Sequence, residues 1–392
     1  MGSEHRDAPI LITGAGGFVG KNLVATLKTR GYSRILSFEK DDTPAQLAAY
    51  CREAAFVIHL AGINRPKDPS EFYAGNAGLT DTLLADLEAA GTRCPVLVTS
   101  SVQAALDNDY GKSKKQAEEA IFAYGRNTGA PVYVFRMEGV FGKWCRPNYN
   151  SVVATFCFNV ANGLPLAVRD PAFSLPLVYI DDVVACIVDA LEEGRAERDA
   201  EGICRIHPVH TVTLGQLADT LQGFALARGG AAARALGGSG VPTLGVPALA
   251  QDSFTKKLYS TYLSYLPADG FAYDLDTHAD DRGSLTEFLR TPERGQVSVN
   301  IARPGIVKGN HWHHTKNEKF LVVQGEAVIR FRRIDDDKVL EYRVSGQKLQ
   351  AVDIPCGYTH NIENVGQTDL VTVMWANEAF DPARPDTFAM KV

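Results

Sequence analysis

The chain has 392 residues, 45% of them apolar and 22% charged, with a formal net charge of -6; that length fits two domains, each able to bury its own core. The mild acidity, without a dense Lys/Arg block, argues against a nucleic-acid partner, and no apolar run approaches the roughly 20 residues that would make a membrane span. The polar start Glu4-His5-Arg6-Asp7 speaks against a secretory leader, and seven scattered cysteines without a Cys-x-x-Cys pair read as reduced thiols in the cytoplasm.

In chain order, Pro9 to Thr13, Arg34 to Phe38, Phe56 to Leu60, Pro95 to Thr99 and Val132 to Arg136 read as buried strands. Between them lie amphipathic stretches such as Gly20 to Thr29, with Leu23, Val24 and Leu27 on one face. Strand–helix alternation predicts a Rossmann-type, doubly wound parallel sheet with helices on both faces. Residues 225 to 250 break the pattern with Gly229-Gly230, Gly237-Gly238, Pro242 and Pro247; they read as a linker with a helical piece at Ala231 to Leu236. After Pro267 the texture changes to strands with Gly-containing turns: Val297 to Ile301, Lys319 to Val323, Ala327 to Phe331, Leu340 to Val344 and Leu370 to Trp375. These predict a compact antiparallel jelly-roll barrel. The expected division is residues 1–250 for the nucleotide-binding domain with its linker and 251–392 for the barrel.

Gly14, Gly17 and Gly20 follow a strand and open a helix, with Phe18 and Val19 between them. In that setting the glycines permit a tight turn, close backbone approach to a pyrophosphate and close helix–strand packing, and the helix N-terminus faces the phosphates. This predicts a dinucleotide site. Glu39 and Lys40 end the second strand; a carboxylate there suits the ribose of NAD and a cation suits the extra phosphate of NADP. With both present, either cofactor stays open. Tyr110 and Lys114 lie four apart on one helix face; an ammonium beside the phenol favours phenolate, so the tyrosine can exchange a proton with a carbinol or carbonyl oxygen. They follow a strand ending Thr99-Ser100-Ser101.

Glycine loop, serine and Tyr/Lys pair, in this order and together with His59-Leu60-Ala61-Gly62 and Tyr179-Ile180-Asp181-Asp182-Val183, resemble the extended short-chain dehydrogenase/reductase family over residues 9 to about 220. The resemblance makes Ser101 the catalytic serine, with Ser100 as alternative. Two departures stand out. Only eight residues separate Ser101 from Tyr110, and Arg136-Met137-Glu138-Gly139-Val140-Phe141-Gly142 lacks the Asn that sugar-nucleotide members carry there.

Further on, Gly305, His311-x-His313, Glu318 and Gly325 match the first cupin motif, and Pro355-x-Gly357-x-x-His360-x-x-x-Asn364 matches the core of the second. The glycine expected six residues before that proline is missing, Gly346 lying further upstream. His311 and His313 alternate along a strand and point the same way; Glu318 and His360 are expected from neighbouring strands. Three imidazoles and a carboxylate suit zinc, with Fe, Mn, Ni or Cu as other divalent choices. His314 breaks the alternation and faces outward.

The whole chain is similar to the bifunctional capsular-polysaccharide enzymes of the CapF and WbjC type. Gly142 to Ser151, Leu258 to Pro267, Asp280 to Ser284, Gly309 to Val323 and His360 to Asn364 carry the likeness. It implies a homodimer acting on a UDP-linked 4-keto-6-deoxy amino sugar. The cupin half would epimerise C3 of UDP-2-acetamido-2,6-dideoxy-L-arabino-hexos-4-ulose, and the reductase half would reduce C4 with NADPH to the L-talose product. Tyr110, Lys114 and Ser101 would act on O4, while Lys143, Arg146 and Asn148 would contact the UDP moiety. For the base at C3 the nearby candidates are Lys308 and His314. A plain 4-ketoreductase, or an epimerase that retains NAD, with the cupin as an inert dimerisation module, stands as the alternative.

Overall fold

Short runs of Ile, Leu, Val and Phe closed off by Gly, Pro or charged residues dictate the strands of the first half. The computed structural model describes residues 6–66, 68, 70–240, 242–250, 253–291 and 293–392. It divides into two compact units. One holds the chain up to Phe158 with Leu166–Ala218 and Ser260–Tyr265; the other holds Asn159–Pro165, Asp219–Tyr259 and Leu266–Val392. Residues 219–250, which the sequence groups with the front half, thus cluster with the back half.

The first unit begins β1 (Ile10–Thr13), α1 (Phe18–Thr29), β2 (Ile35–Phe38), α2 (Pro44–Glu53) and β3 (Phe56–His59). Then α3 (Ser70–Phe72) passes through a widened turn at Tyr73–Gly78 into α4 (Leu79–Ala89), before β4 (Val96–Ser101), α5 (Asp109–Thr128) and β5 (Val132–Met137). Next come β6 (Gly139–Phe141), α6 (Val152–Ala161), β7 (Ser174–Tyr179), α7 (Ile180–Glu193), β8 (Ile203–Cys204), β9 (His210–Thr213) and α8 (Leu214–Arg228). Six strands form a parallel sheet in the order β2-β1-β3-β4-β5-β8, and β6, β7 and β9 form a small second sheet. Strand alternation assigns the two faces. Ile10, Ile12, Ile58, Leu97 and Phe135 meet Leu23 and Leu27 of α1 and Val183 and Ile187 of α7. Leu11, Val57, Val96, Val98 and Val134 meet Leu47 of α2, Leu83 of α4 and Ile121 of α5. This is the Rossmann-type doubly wound arrangement. Strand order reverses between β1 and β3, so a crevice opens at their carboxyl ends.

The stretch expected as a linker carries the end of α8 and a short helix, α9 (Gly230–Ala235), followed by α10 (Phe254–Leu263). The rest of the second unit is antiparallel. Its strands are β10 (Thr277–Asp280), β11 (Gly283–Thr291), β12 (Gly295–Ala302), β13 (Val307–Trp312), β14 (Glu318–Gln324) and β15 (Glu326–Arg333). They continue as β16 (Val339–Ser345), β17 (Ala351–Ile354), β18 (Tyr358–Asn364), β19 (Leu370–Ala376) and β20 (Phe388–Ala389). Two sheets result, β10-β11-β12-β19-β14-β17 and β16-β15-β18-β13-β20. Phe320 and Val322 of β14, Ile329 and Phe331 of β15, Ile354 of β17 and Ile362 of β18 pack into one core drawn from both sheets. Period-two alternation then puts Glu318 on the inward face with Phe320, and His360 with Ile362.

Candidate functional site

The glycine loop is packed backbone against backbone. Gly14 has φ +71°, and a Cβ there would lie 2.9 Å from the Ala61 nitrogen. A Cβ on Gly20 would lie 2.3 Å from the Gly14 carbonyl oxygen and 2.5 Å from that of Ala15, and one on Gly17 would lie 3.1 Å from the Gly14 oxygen. The first turn of α1 therefore sits directly on the loop. Phe18 and Val19 turn their side chains to the core, while their N–H groups belong to the first turn, whose amides lack intrahelical partners and suit a phosphate. Leu60 donates its N–H to the Thr13 carbonyl at 3.1 Å, and the Ala61 N–H reaches Thr13 Oγ1 at 3.2 Å. Both bonds tie the turn through Gly62 to the end of β1.

Glu39 accepts the Gly16 N–H at 2.5 Å. Beside it opens a cleft of about 780 Å³ lined by Gly16, Lys21, Lys28, Glu39 and Trp144 among others. Its lining cations are Lys21 and Lys28, about two turns apart on one face of α1; Lys40, the cation singled out from sequence, is exposed and lies outside the lining.

Around the carboxyl end of β4 the expected trio converges. Burial pushes the Tyr110 phenol up from its ordinary value, against a hydrogen bond with Ser101 that lowers it. Of the two serines, it is Ser101 that bonds the phenol; Ser100 Oγ is buried without a partner. Lys114 reaches the Thr99 carbonyl at 3.4 Å, and burial brings its ammonium down to about 8. The short Ser101–Tyr110 link works because of Gly111. A Cβ there would stand 2.2 Å from the Gln103 oxygen and 2.7 Å from the Leu106 oxygen, while Asn108 caps α5 by accepting the Gly111 N–H at 2.7 Å. His59, between Thr13 and Thr80 at 2.7 and 2.9 Å, is held down to about 3 by burial and then by Lys114. Its ring is neutral and structural.

Lys143 is ion-paired with Asp181 at 2.5 Å, and its ammonium also lies 5.6 Å from the Trp144 ring centre. Arg146 lies 5.5 Å from that of Tyr149, and Asn148, at φ +55°, donates its N–H to Thr155 Oγ1 at 3.0 Å. The cations expected for UDP are thus already engaged, Lys143 by Asp181 of α7 and Arg146 by Tyr149 of its own loop.

In the second unit the ligand atoms of His311, His313, Glu318 and His360 all lie within 4.8 Å of one another. The placement differs from the sequence expectation in two ways. Strand β13 ends at Trp312, so His313 lies just beyond it. A bulge between Gly309 and His311 sets His311 opposite His360; Gly309, at φ +103°, supplies the left-handed step, and such bulges re-aim side chains. Glu318 and His360 also come from different sheets, β14 and β18, instead of neighbouring strands. Glu318 Oε2 lies 3.2 Å from His360 Nε2 and 3.5 Å from His313 Nε2. All three of those atoms are buried without a hydrogen-bond partner. Buried polar atoms left unmatched need an account, and a bound divalent cation gives one. Burial pushes the Glu318 carboxyl up, yet the facing His313 and His360 rings and the charge of Lys316 carry it below its usual range. Burial brings His311 down to about 4. Phe320 and Phe331 back the His360 ring at 6.0 and 6.5 Å.

Two further charged residues belong to this region. Lys316, buried, has its ammonium 3.7 Å from Glu318 Oε1; standing two residues before Glu318 was its one visible signal. Lys308 instead bonds the Ile301 carbonyl at 2.8 Å and Asn300 Oδ1 at 2.9 Å. His314 is exposed, as expected, and packs on Trp312 at 4.5 Å and Phe388 at 5.0 Å.

The model of the NAD dependent epimerase/dehydratase family matches residues 10–203, and that of the polysaccharide biosynthesis C-terminal domain matches residues 278–388. A Pseudomonas aeruginosa protein named UDP-2-acetamido-2,6-beta-L-arabino-hexul-4-ose reductase is 42% identical over 383 residues, 98% of each chain. The crystal structure of the capsular polysaccharide assembling protein CapF from Staphylococcus aureus is 49% identical, covers 98% of this chain and 100% of its own, and superposes with a TM-score of 0.88. The chain belongs to the CapF family. A further structure, of CapF with the inhibitor 3-isopropenyl-tropolone, is 45% identical over 98% of this chain and 100% of its own, with a TM-score of 0.84. Membership makes the chain an NAD(P)-linked enzyme of the reductase/epimerase class. Among the described residues no helix is long and apolar enough to cross a membrane.

As a CapF-family loop, the glycine turn gives a direct test. A Cβ on Gly20 meets only backbone, which cannot swing aside, so overpacking of about 1–3 kcal/mol is the expected cost. Gly20→Ala should weaken NAD(P)H binding, read by cofactor fluorescence titration, by about tenfold or more. An unchanged affinity would show that the loop is not where the pyrophosphate rests.

Proposed function

We propose that the chain performs two consecutive steps on one UDP-linked sugar. The β unit epimerises C3 of UDP-2-acetamido-2,6-dideoxy-L-arabino-hexos-4-ulose. The α/β unit then reduces the C4 ketone with NADPH to the UDP-2-acetamido-2,6-dideoxy-L-talose precursor of UDP-N-acetyl-L-fucosamine. The observation that carries the reading is the cluster of buried, unmatched ligand atoms on Glu318, His313 and His360, in a chain that also brings Ser101 to the Tyr110 phenol. A barrel serving only as a dimerisation surface needs no converging imidazoles.

In the β unit His311, His313, Glu318 and His360 would hold a divalent ion, zinc by the donor set. When bound it supplies Lewis-acid polarisation of the ketone, lowering the cost of removing the C3 proton by several kcal/mol, roughly. The relative bound to a tropolone supports this, since vicinal hydroxyl and ketone oxygens are a chelating pair. Phe320 and Phe331 keep water from the imidazole face of His360, and Lys316 stands as a buried cation beside the carboxylate.

In the α/β unit NADPH supplies the hydride. The glycine loop and the start of α1 hold its pyrophosphate, with Glu39 and the α1 lysines Lys21 and Lys28 flanking its ribose. Tyr110, kept protonated by burial, donates to O4, Ser101 orients that oxygen, and Lys114 replenishes the phenol from an ammonium brought near neutral range. Arg146 and Asn148, with Lys143 once it exchanges Asp181 for phosphate, meet the UDP. A cytoplasmic homodimer completes the proposal.

Incubation of the UDP 4-keto sugar in heavy water without cofactor, then with NADPH, tests both steps. Deuterium should enter at C3 first and reduction should follow only on cofactor addition. Reduction without prior exchange would leave a plain ketoreductase.

A further inference from the structure

Asp386 lies 73 residues from His313 along the chain, yet its carbonyl is 2.6 Å from His313 Nδ1. That contact leaves the Nδ1 proton donating to the carbonyl and turns Nε2 toward Glu318. The carboxylate of the same residue holds the loop that joins His313 to Glu318. Oδ1 accepts the His314 N–H at 3.0 Å, and Oδ2 accepts those of Thr315 and Lys316, both at 2.9 Å, and the Thr315 hydroxyl at 3.2 Å. Asp386 itself sits at φ +35°, a conformation that costs a non-glycine residue energy unless its surroundings impose it. Just beyond, β20 runs beside β13, with Ala389 opposite His311, and the Met390 N–H donates to the Asn310 carbonyl at 2.9 Å. One short C-terminal segment therefore frames His311, His313 and the approach to Glu318.

We propose that Asp386 is the positioning residue of the metal centre, touching no metal itself but fixing the ring of His313 and the loop to Glu318 so that their donor atoms converge. This rests on the metal reading given above. Asn377 also ties this loop, accepting the Asn317 N–H at 2.9 Å and donating to the Thr315 carbonyl at 3.3 Å, but Asp386 engages both the His313 ring and three consecutive loop amides, with four accepted bonds and one carbonyl from a single residue. Partners of this kind govern affinity through ligand orientation, and their loss typically costs 10–100-fold.

The test uses the full-length protein stripped with chelator and titrated with Zn²⁺ against a competing chelator, with Co²⁺ absorption as a probe of geometry. Asp386→Ala should bind Zn²⁺ about 10–100-fold more weakly and show an altered cobalt spectrum, while Asp386→Asn, which keeps one acceptor oxygen, should recover part of the affinity. Asp381→Ala serves as the control on the same segment, since among the described residues the Asp381 carboxylate accepts only from its neighbours Ala383 and Arg384; it should bind as the parent does. Parent-like affinity and spectrum in Asp386→Ala would overturn the proposal, as would an equal loss in Asp381→Ala. A parent protein that binds no Zn²⁺ or Co²⁺ would instead overturn the metal reading on which the proposal stands.

Discussion

Tyr110→Phe is expected to lower NADPH oxidation by about 10²–10⁴-fold, the usual contribution of a positioned general acid, while deuterium from heavy water still enters at C3. The change removes one hydroxyl and little else. The ring would keep its packing on Phe72, whose centre lies 5.5 Å away, and α5 would keep its Asn108 cap. What disappears is the proton that burial holds on the phenol and the bond that fixes Ser101. Cofactor absorbance at steady state reads the first effect, and mass spectrometry of recovered sugar reads the second. If the variant loses exchange as well as reduction, the two chemistries share one site and the two-step proposal fails. The prediction separates the units because Tyr110 and the His/Glu cluster belong to different compact parts of the chain.

Much of this was legible beforehand wherever local physics decides the outcome. Strands β1 to β5 were expected to within a residue or two because each is a short, buried apolar run closed by turn formers. The His/Glu cluster was legible because its residues fall in two short stretches, His311 to Glu318 and His360. The sequence missed β10, whose residues are all exposed, because a strand with no buried face has no alternation to read. It also missed β20, a two-residue strand. The expectation that Glu318 and His360 come from neighbouring strands failed for a different reason. Hydrophobic alternation reports which face a residue takes but not which sheet its strand joins, and here the carboxylate and the imidazole come from different sheets. The family resemblance preferred Ser101 to Ser100, and the bond of Ser101 to the Tyr110 phenol agrees; local sequence alone could not choose, since both are hydroxyls at one strand end. Asp386 had no local signal at all. Its partners lie 70 to 73 residues away, and nothing about an Asp between Pro385 and Thr387 announces a cap for a distant loop.

His360→Ala should have the complementary outcome to Tyr110→Phe. His360 is 1% exposed, sits 3.2 Å from Glu318 Oε2, and is backed by Phe320 and Phe331, so no water or neighbouring side chain stands ready to replace its nitrogen. Loss of the Lewis-acid contribution, several kcal/mol, corresponds to about a 10³-fold or larger fall in C3 exchange, at roughly tenfold per 1.4 kcal/mol. Bound metal, measured by elemental analysis, should fall with it. The α/β unit contains no residue of the cluster, so NADPH binding should be unchanged. Reduction of the starting sugar should then fail for want of its epimer, and return when the variant is given sugar already epimerised by the parent protein without cofactor. That rescue distinguishes a lost first step from a misfolded chain. If instead His360→Ala still exchanges deuterium at the parental rate, the cluster takes no part in the chemistry, and the epimerisation has to be sought outside it, first at the Tyr110 site.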